Sequence, residues 1–189
     1  MKNWLMLLIL VGSILSAQNK KVTSSEIFWK SYKSLKAESF AHFGTVILKA
    51  GDVTLNSKNE IIAGNFIMDM NTIVADDMKD DKNKDMLERH LKSDDFFNVK
   101  KFPTVFFKIL SVKKSSDSKN NSIVTGNLTI KGITKKISFP ANILVNGNSV
   151  SVITPIFKFN RRDFDLKYET FEDMLIAKEV EMRIKFTAQ

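Results

Sequence analysis

The sequence predicts an all-β fold, an antiparallel β-barrel of about eight strands with one short helix. Three observations carry that expectation. Apolar residues recur at every second position over most of the chain, the pattern of strands with one buried and one wet face. Turn-forming clusters separate these runs at Lys58-Asn59-Glu60, Ser115 to Asn121, Lys131-Gly132 and Asn146-Gly147-Asn148. One stretch, Asp76 to Ser93, loses the period of two and sets Met86, Leu87, His90 and Leu91 at helical spacing.

From the N-terminus, Lys2, the apolar run Trp4 to Val11 and the small residues Ser13, Ser16 and Ala17 have the form of a secretory signal. The run falls short of the roughly 20 residues that span a bilayer. Cleavage is expected after Ala17, leaving one domain, residues 18–189. Opening strands are expected over Ser24 to Tyr32 and Ser39 to Ala50. The next run puts Ile62, Gly64, Phe66, Met68 and Met70 on one face, with Asn65, Asp69 and Asn71 on the other. A mobile polar loop, Asp76 to Lys82, leads into the helix. After it come Thr104 to Lys113 and the alternating runs Val124-Gly126-Leu128-Ile130 and Ile137-Phe139-Ala141-Ile143-Val145. A strand over Val150 to Phe159 precedes the closing run Ile176-Val180-Met182-Ile184-Phe186. Closing such a meander into a barrel removes its sheet edges, and about eight strands leave room for side chains and one small ligand.

Composition narrows the chemistry. The absence of cysteine excludes disulfides, thiolate catalysis, cysteine-ligated zinc and a cysteine-anchored lipid. The net charge of +8 comes from lysines scattered along wet faces. Export argues against a nucleic-acid partner, and attraction to anionic lipid headgroups or to an anionic ligand fits better. A Ser-His-Asp arrangement would have to use His42 or His90, and neither lies in a nucleophile-elbow motif. The two histidines are far apart, so no metal site is expected. The acidic run Asp76 to Asp81 lacks the spacing, the Gly and the terminal Glu of a calcium loop, and reads as a solvated charge run. What remains is a surplus of apolar inward positions, with fifteen Phe and eight Met. Flexible, polarisable Met68, Met70 and Met182 suit the wall of an adaptable cavity. A filled barrel and a hollow one share the same alternation, so periodicity leaves both open.

Four ordered segments carry a resemblance. His90-Leu91-Lys92-Ser93-Asp94-Asp95-Phe96-Phe97, followed by Lys101-Phe102-Pro103-Thr104, resembles the central signature of the YceI-like family of exported, polyisoprenoid-binding proteins. Gly64 to Ile73 is similar to its strand ending Asp-Met-x-Ser/Thr-Ile, and Thr125 to Lys135 to its Gly-x-Leu-Thr-Ile-x-Gly hairpin. Ser25 to Trp29 with His42 to Val46 resembles its opening strands. Arg162-Asp163-Phe164-Asp165 departs from the pattern, because Asp165 stands where the family usually has Gly, which would allow a backbone angle less open to Asp.

The resemblance implies a lipocalin-like barrel with an elongated tunnel holding a long-chain isoprenoid or similar amphiphile, for carriage or storage and without catalysis. The inward residues Phe66, Met68, Met70, Val124, Leu128, Ile130, Phe139, Ile143, Val180, Met182 and Ile184 become the candidate tunnel wall, and His42 and Arg162 its candidate polar end. The ligand is a long-chain lipid, with no other cofactor and no metal. Transient contact with a membrane surface and homodimerisation stay open as partner modes. The expected location is the periplasm, with full secretion as the alternative. Two other functions stay in view: an enzyme acting on a lipid in the same barrel through His42 or the Asp163 region, and a partner-binding barrel with a filled core.

Overall fold

In a computed structural model of the chain, residues 17–33, 41–167 and 176–189 are described. The expected signal segment lies outside them, apart from its last residue. The strands are β1 (Gln18–Lys33), β2 (Ala41–Leu55), β3 (Ile61–Ala75), β4 (Thr104–Lys114), β5 (Ser122–Ile130), β6 (Ile133–Asn146), β7 (Ser149–Ile153), β8 (Phe157–Asn160) and β9 (Ile176–Ala188), with helix α1 (Asp81–Lys92) between β3 and β4. Every pairing is antiparallel, and β9 closes on β1. β7 and β8 are two pieces of one wall position, both paired to β9, so the barrel has eight strands around it.

The expected single strand over Val150 to Phe159 is therefore interrupted. Pro155 has no N–H to offer a ladder. At the break Thr154 takes over. Its N–H donates to the Ile184 carbonyl and its hydroxyl accepts from the Ile184 N–H, both at 2.9 Å. The β9 register then slips by one residue, from Ile153 opposite Lys185 to Phe157 opposite Met182.

The hairpins follow from turn chemistry. Lys131 (φ 49°) and Gly132 (φ 75°) form a two-residue turn between paired Ile130 and Ile133, with positive φ at both central positions. In β5 the alternation is complete, with Val124, Gly126, Leu128 and Ile130 all buried.

In β3 it is not. A register shift against β2 turns Ile61 inward and leaves Ile62, expected inside, half exposed at 48%. A second irregularity surrounds Asp69-Met70-Asn71-Thr72. The Asp69 carboxylate accepts from both Asn71 nitrogens, and the Thr72 hydroxyl donates to the Asp69 carbonyl at 2.6 Å while accepting from the Ile47 N–H at 2.9 Å. The inward parity changes here, so Met70 and Ile73 are both buried.

Helix α1 caps one end of the barrel. Asp80 caps its N-terminus by accepting from the Asn83 N–H, and Arg89, His90 and Lys92 sit in its last turn, where the helix dipole favours positive charge. The Glu88 carboxylate accepts from the Ala75 N–H, tying the helix to β3. Asp76 and Asp77, expected in a mobile loop, instead extend the sheet contact. The Asp76 N–H donates to the Phe43 carbonyl, and the Asp77 carboxylate accepts from the Phe43 N–H.

Two apolar clusters line the two halves of the barrel. One, at the helix end, is built on Trp29, Met70, Leu91, Leu128 and Phe164. The other, at the far end, is built on Val53, Phe66, Val124, Phe139 and Phe186. Leu48, Met68, Phe107, Ile137, Met182 and Ile184 touch both.

Candidate functional site

A cavity of about 540 Å³ runs between the strands and under α1, reaching residues of both clusters. That size lies within the roughly 300–1,000 Å³ of small-molecule sites. At about 3.3 Å rise per residue, the 15-residue strands β2 and β3 are long enough to enclose an elongated space.

All eleven candidate tunnel residues stand on this wall. Phe66, Met68 and Met70 come from β3, Val124, Leu128 and Ile130 from β5, Phe139 and Ile143 from β6, and Val180, Met182 and Ile184 from β9. Several inward ones, Met68, Ile143, Val180, Met182 and Ile184 among them, are only half buried although they face the interior. Inward side chains that solvent can reach are the mark of open space beside them.

The aromatic turn after α1 supplies the cap. The Phe97 N–H donates to the Leu91 carbonyl and the Val99 N–H to the Lys92 carbonyl, folding the chain back over the helix. Phe96 and Phe97 meet edge to face at 5.1 Å and both line the cavity, and the His90 ring packs against Phe96. Phe107 reaches the middle of the wall because Gly126, diagonal to it on β5, has no side chain. A Cβ there would lie 2.4 Å from the Phe107 ring.

Among the described residues the wall holds no Lys, Arg, Asp or Glu. Its polar groups gather mainly at the helix end, in Ser31, Tyr32, His42, Asn83 and His90. His42 is a wall residue whose Nδ1 lies 2.9 Å from Asp77 Oδ2. The Tyr32 hydroxyl donates to Glu181 at 3.0 Å, and burial, then this carboxylate, pushes its phenol above the usual tyrosine range. The sequence reading missed Trp29 and Ser31, although the Ile27-Trp29-Ser31 alternation marked their face. Trp29 is 7% exposed, and its indole N–H has no hydrogen-bond partner among the described residues.

Arg162 is not part of the cavity. It is exposed on a 3₁₀ turn (Arg161–Phe164). The turn points its neighbour inward instead. Arg161 is fully buried and donates to the carbonyls of Leu166, Ile176 and Ala177. Asp165 closes the turn at φ 54°, ψ 32°, the left-handed angles that the usual Gly would take freely. Its carboxylate lies within 3.9 Å of Lys131 and 3.3 Å of Lys167, contacts that a Gly could not offer.

The profile of the YceI-like domain matches residues 19–188. The chain belongs to the YceI-like family. A UPF0312 protein of Pseudomonas paraeruginosa is 32% identical over 133 residues, 67% of this chain and 68% of that protein. Protein YceI of Salmonella arizonae is 40% identical over 68 residues, 36% of this chain and 34% of that protein. Burkholderia cenocepacia BcnA has the same fold, with a TM-score of 0.65 at 19% identity over 87% of this chain and 96% of that one. So does a polyisoprenoid binding domain from Saccharophagus degradans, with a TM-score of 0.61 at 12% identity over 93% and 98%. The family signatures thus have physical roles in this YceI-like barrel: the Asp-Met-x-Thr-Ile stretch shifts the strand's parity, and the Gly-x-Leu-Thr-Ile-x-Gly hairpin makes room for Phe107.

Proposed function

We propose that this protein is an exported carrier that holds a long-chain isoprenoid or similar amphiphile in the barrel. The observation that carries the reading is the open interior: a cavity that reaches both clusters, with an apolar wall and polar groups mainly at the capped end. Each CH₂ moved from water into such a wall contributes roughly 0.8 kcal/mol, so a long chain binds through apolar contact alone. The polyisoprenoid-binding relative of the same fold supports the choice of ligand. The leader pattern before Gln18 supports export to the periplasm, and N-terminal sequencing of the mature protein is expected to begin at Gln18.

Lipid extraction and mass spectrometry of the purified protein should release a long-chain lipid. Met182→Trp sharpens the test, because Met182 touches both clusters beside the cavity. In a hollow barrel the indole fills free space, so the lipid is lost and the Tm matches that of the lipid-free wild type. In a filled core the same change overpacks, at about 1–3 kcal/mol. A cold Tm shift with lipid retained would sink the proposal.

One observation favours turnover as a second reading. Ser31 lies opposite His42 in the β1–β2 register, and His42 is held by Asp77. Release of acid from a long-chain ester by the wild type, abolished in Ser31→Ala, would establish it.

A further inference from the structure

The barrel wall has a seam. β1 and β2 pair from Gln18 opposite Leu55 to Lys21 opposite Asp52, and again from Phe28 opposite Thr45 to Tyr32 opposite Ala41. The register is the same on both sides, yet residues 22–27 and 46–51 between them form no ladder pairs with each other. Both strands are irregular on their other side at this level: β1 shifts against β9 between Val22 and Ser24, and β2 shifts against β3 near Thr45 and again near Leu48. Thr23, Ser24, Ser25 and Glu26 are exposed in succession, where an intact wall would hide every second one.

A second cavity of about 160 Å³ occupies this gap, lined by residues 22–25 and 48–51. Ser25 and Leu48 line it and the main cavity alike. One layer of side chains therefore separates the outside from the interior. The gap is flanked by small residues, Ser24, Ser25, Ala50 and Gly51, with Val22 and Leu48 as its larger apolar members and Thr23 and Lys49 as its other polar ones.

We propose that this seam is a lateral portal, through which the tail of a long-chain lipid enters and leaves the barrel sideways. The proposal rests on the carrier reading above. Parting two strands elsewhere breaks ladder pairs, whereas here six consecutive positions on each strand have no ladder partner across the seam. Sideways passage also leaves the α1 cap and its tie to Ala75 in place, so the lipid need not thread through the polar end of the cavity.

The absence of native cysteine makes the test clean. In the full chain, Ser24→Cys with Lys49→Cys places a thiol pair across the gap, and Lys21→Cys with Asp52→Cys places a control pair in the intact ladder. A short bis-maleimide bridges either pair where a disulfide does not form. The probe is a pyrene-labelled long-chain alcohol delivered from phosphatidylcholine vesicles, read by stopped-flow fluorescence. The bridged seam is expected to load and release the probe at least about tenfold more slowly, with its equilibrium affinity unchanged, while the control bridge has no effect. Leu48→Ala, which removes the larger of the two side chains shared by the cavities, is expected to speed release. Normal rates through the bridged seam overturn the portal and leave the carrier reading standing. Failure of the unbridged protein to load the probe overturns the carrier reading itself.

Discussion

Arg161 shows how much one side chain can organise. A fully buried guanidinium holds carbonyls from Leu166 on one side and Ile176 and Ala177 on the other. Unmet buried acceptors cost about 1–3 kcal/mol each. Arg161→Ala is therefore expected to lower stability by about 3 kcal/mol, roughly 6–12 °C in Tm, while Arg162→Ala next to it changes little. Calorimetry of the two variants checks this, and equal effects would refute it. At Asp165 the left-handed backbone decides the outcome. Asp165→Gly relieves the conformation and loses only the ion pairs of a half-exposed carboxylate, so its stability is expected to stay near that of the wild type. Asp165→Val should cost about 1–2 kcal/mol, read as a shift in urea midpoint. Adjacent arginines look alike in a sequence. A 3₁₀ turn faces them opposite ways, which is why the buried one was not legible and the exposed one was chosen.

At the scale of elements, alternation was legible wherever a strand kept its register. β5 carries its expected faces from end to end and β9 does so from Val180 onward, whereas the β3 run held its faces only between its two irregularities, at Phe66 and Met68. Bulges ended the legibility, since a one-residue slip exchanges inside for outside. Ile62 went outward for that reason, and the strand expected over Val150 to Phe159 divided at Pro155. The seam between β1 and β2 left no mark in composition, because pairing is a property of two strands and the sequence displays them one at a time. The irregular stretch of β3 makes an element-level prediction. The side-chain amide of Asn71, and then its backbone N–H, hold the Asp69 carboxyl below the usual carboxylate range. A depressed folded value favours the native state above the unfolded pKa near 4, and that contribution disappears as pH falls through the folded value. Between pH 5 and 2 the urea midpoint should therefore fall less steeply in Asp69→Asn than in the wild type. Identical slopes would show that the carboxylate does not stabilise the bulge.

For the whole molecule, fold and family were legible because a closed antiparallel barrel needs only period two, turns and one helix, all local signals. Hollowness was not, since an enclosed void and a packed interior place the same residues on the same faces. Bound lipid should raise the Tm by mass action, adding about 2.7 kcal/mol of stability when free lipid is 100 times its Kd. The distribution of packing adds a further consequence. The barrel has two apolar collars, joined through six shared side chains and both bordering the open interior, and a guest lying along the axis would splice them. Stripped of that guest, the collars are expected to melt as separate cooperative units, with a calorimetric enthalpy larger than the van 't Hoff value. Restoring the lipid should merge them into one sharp transition.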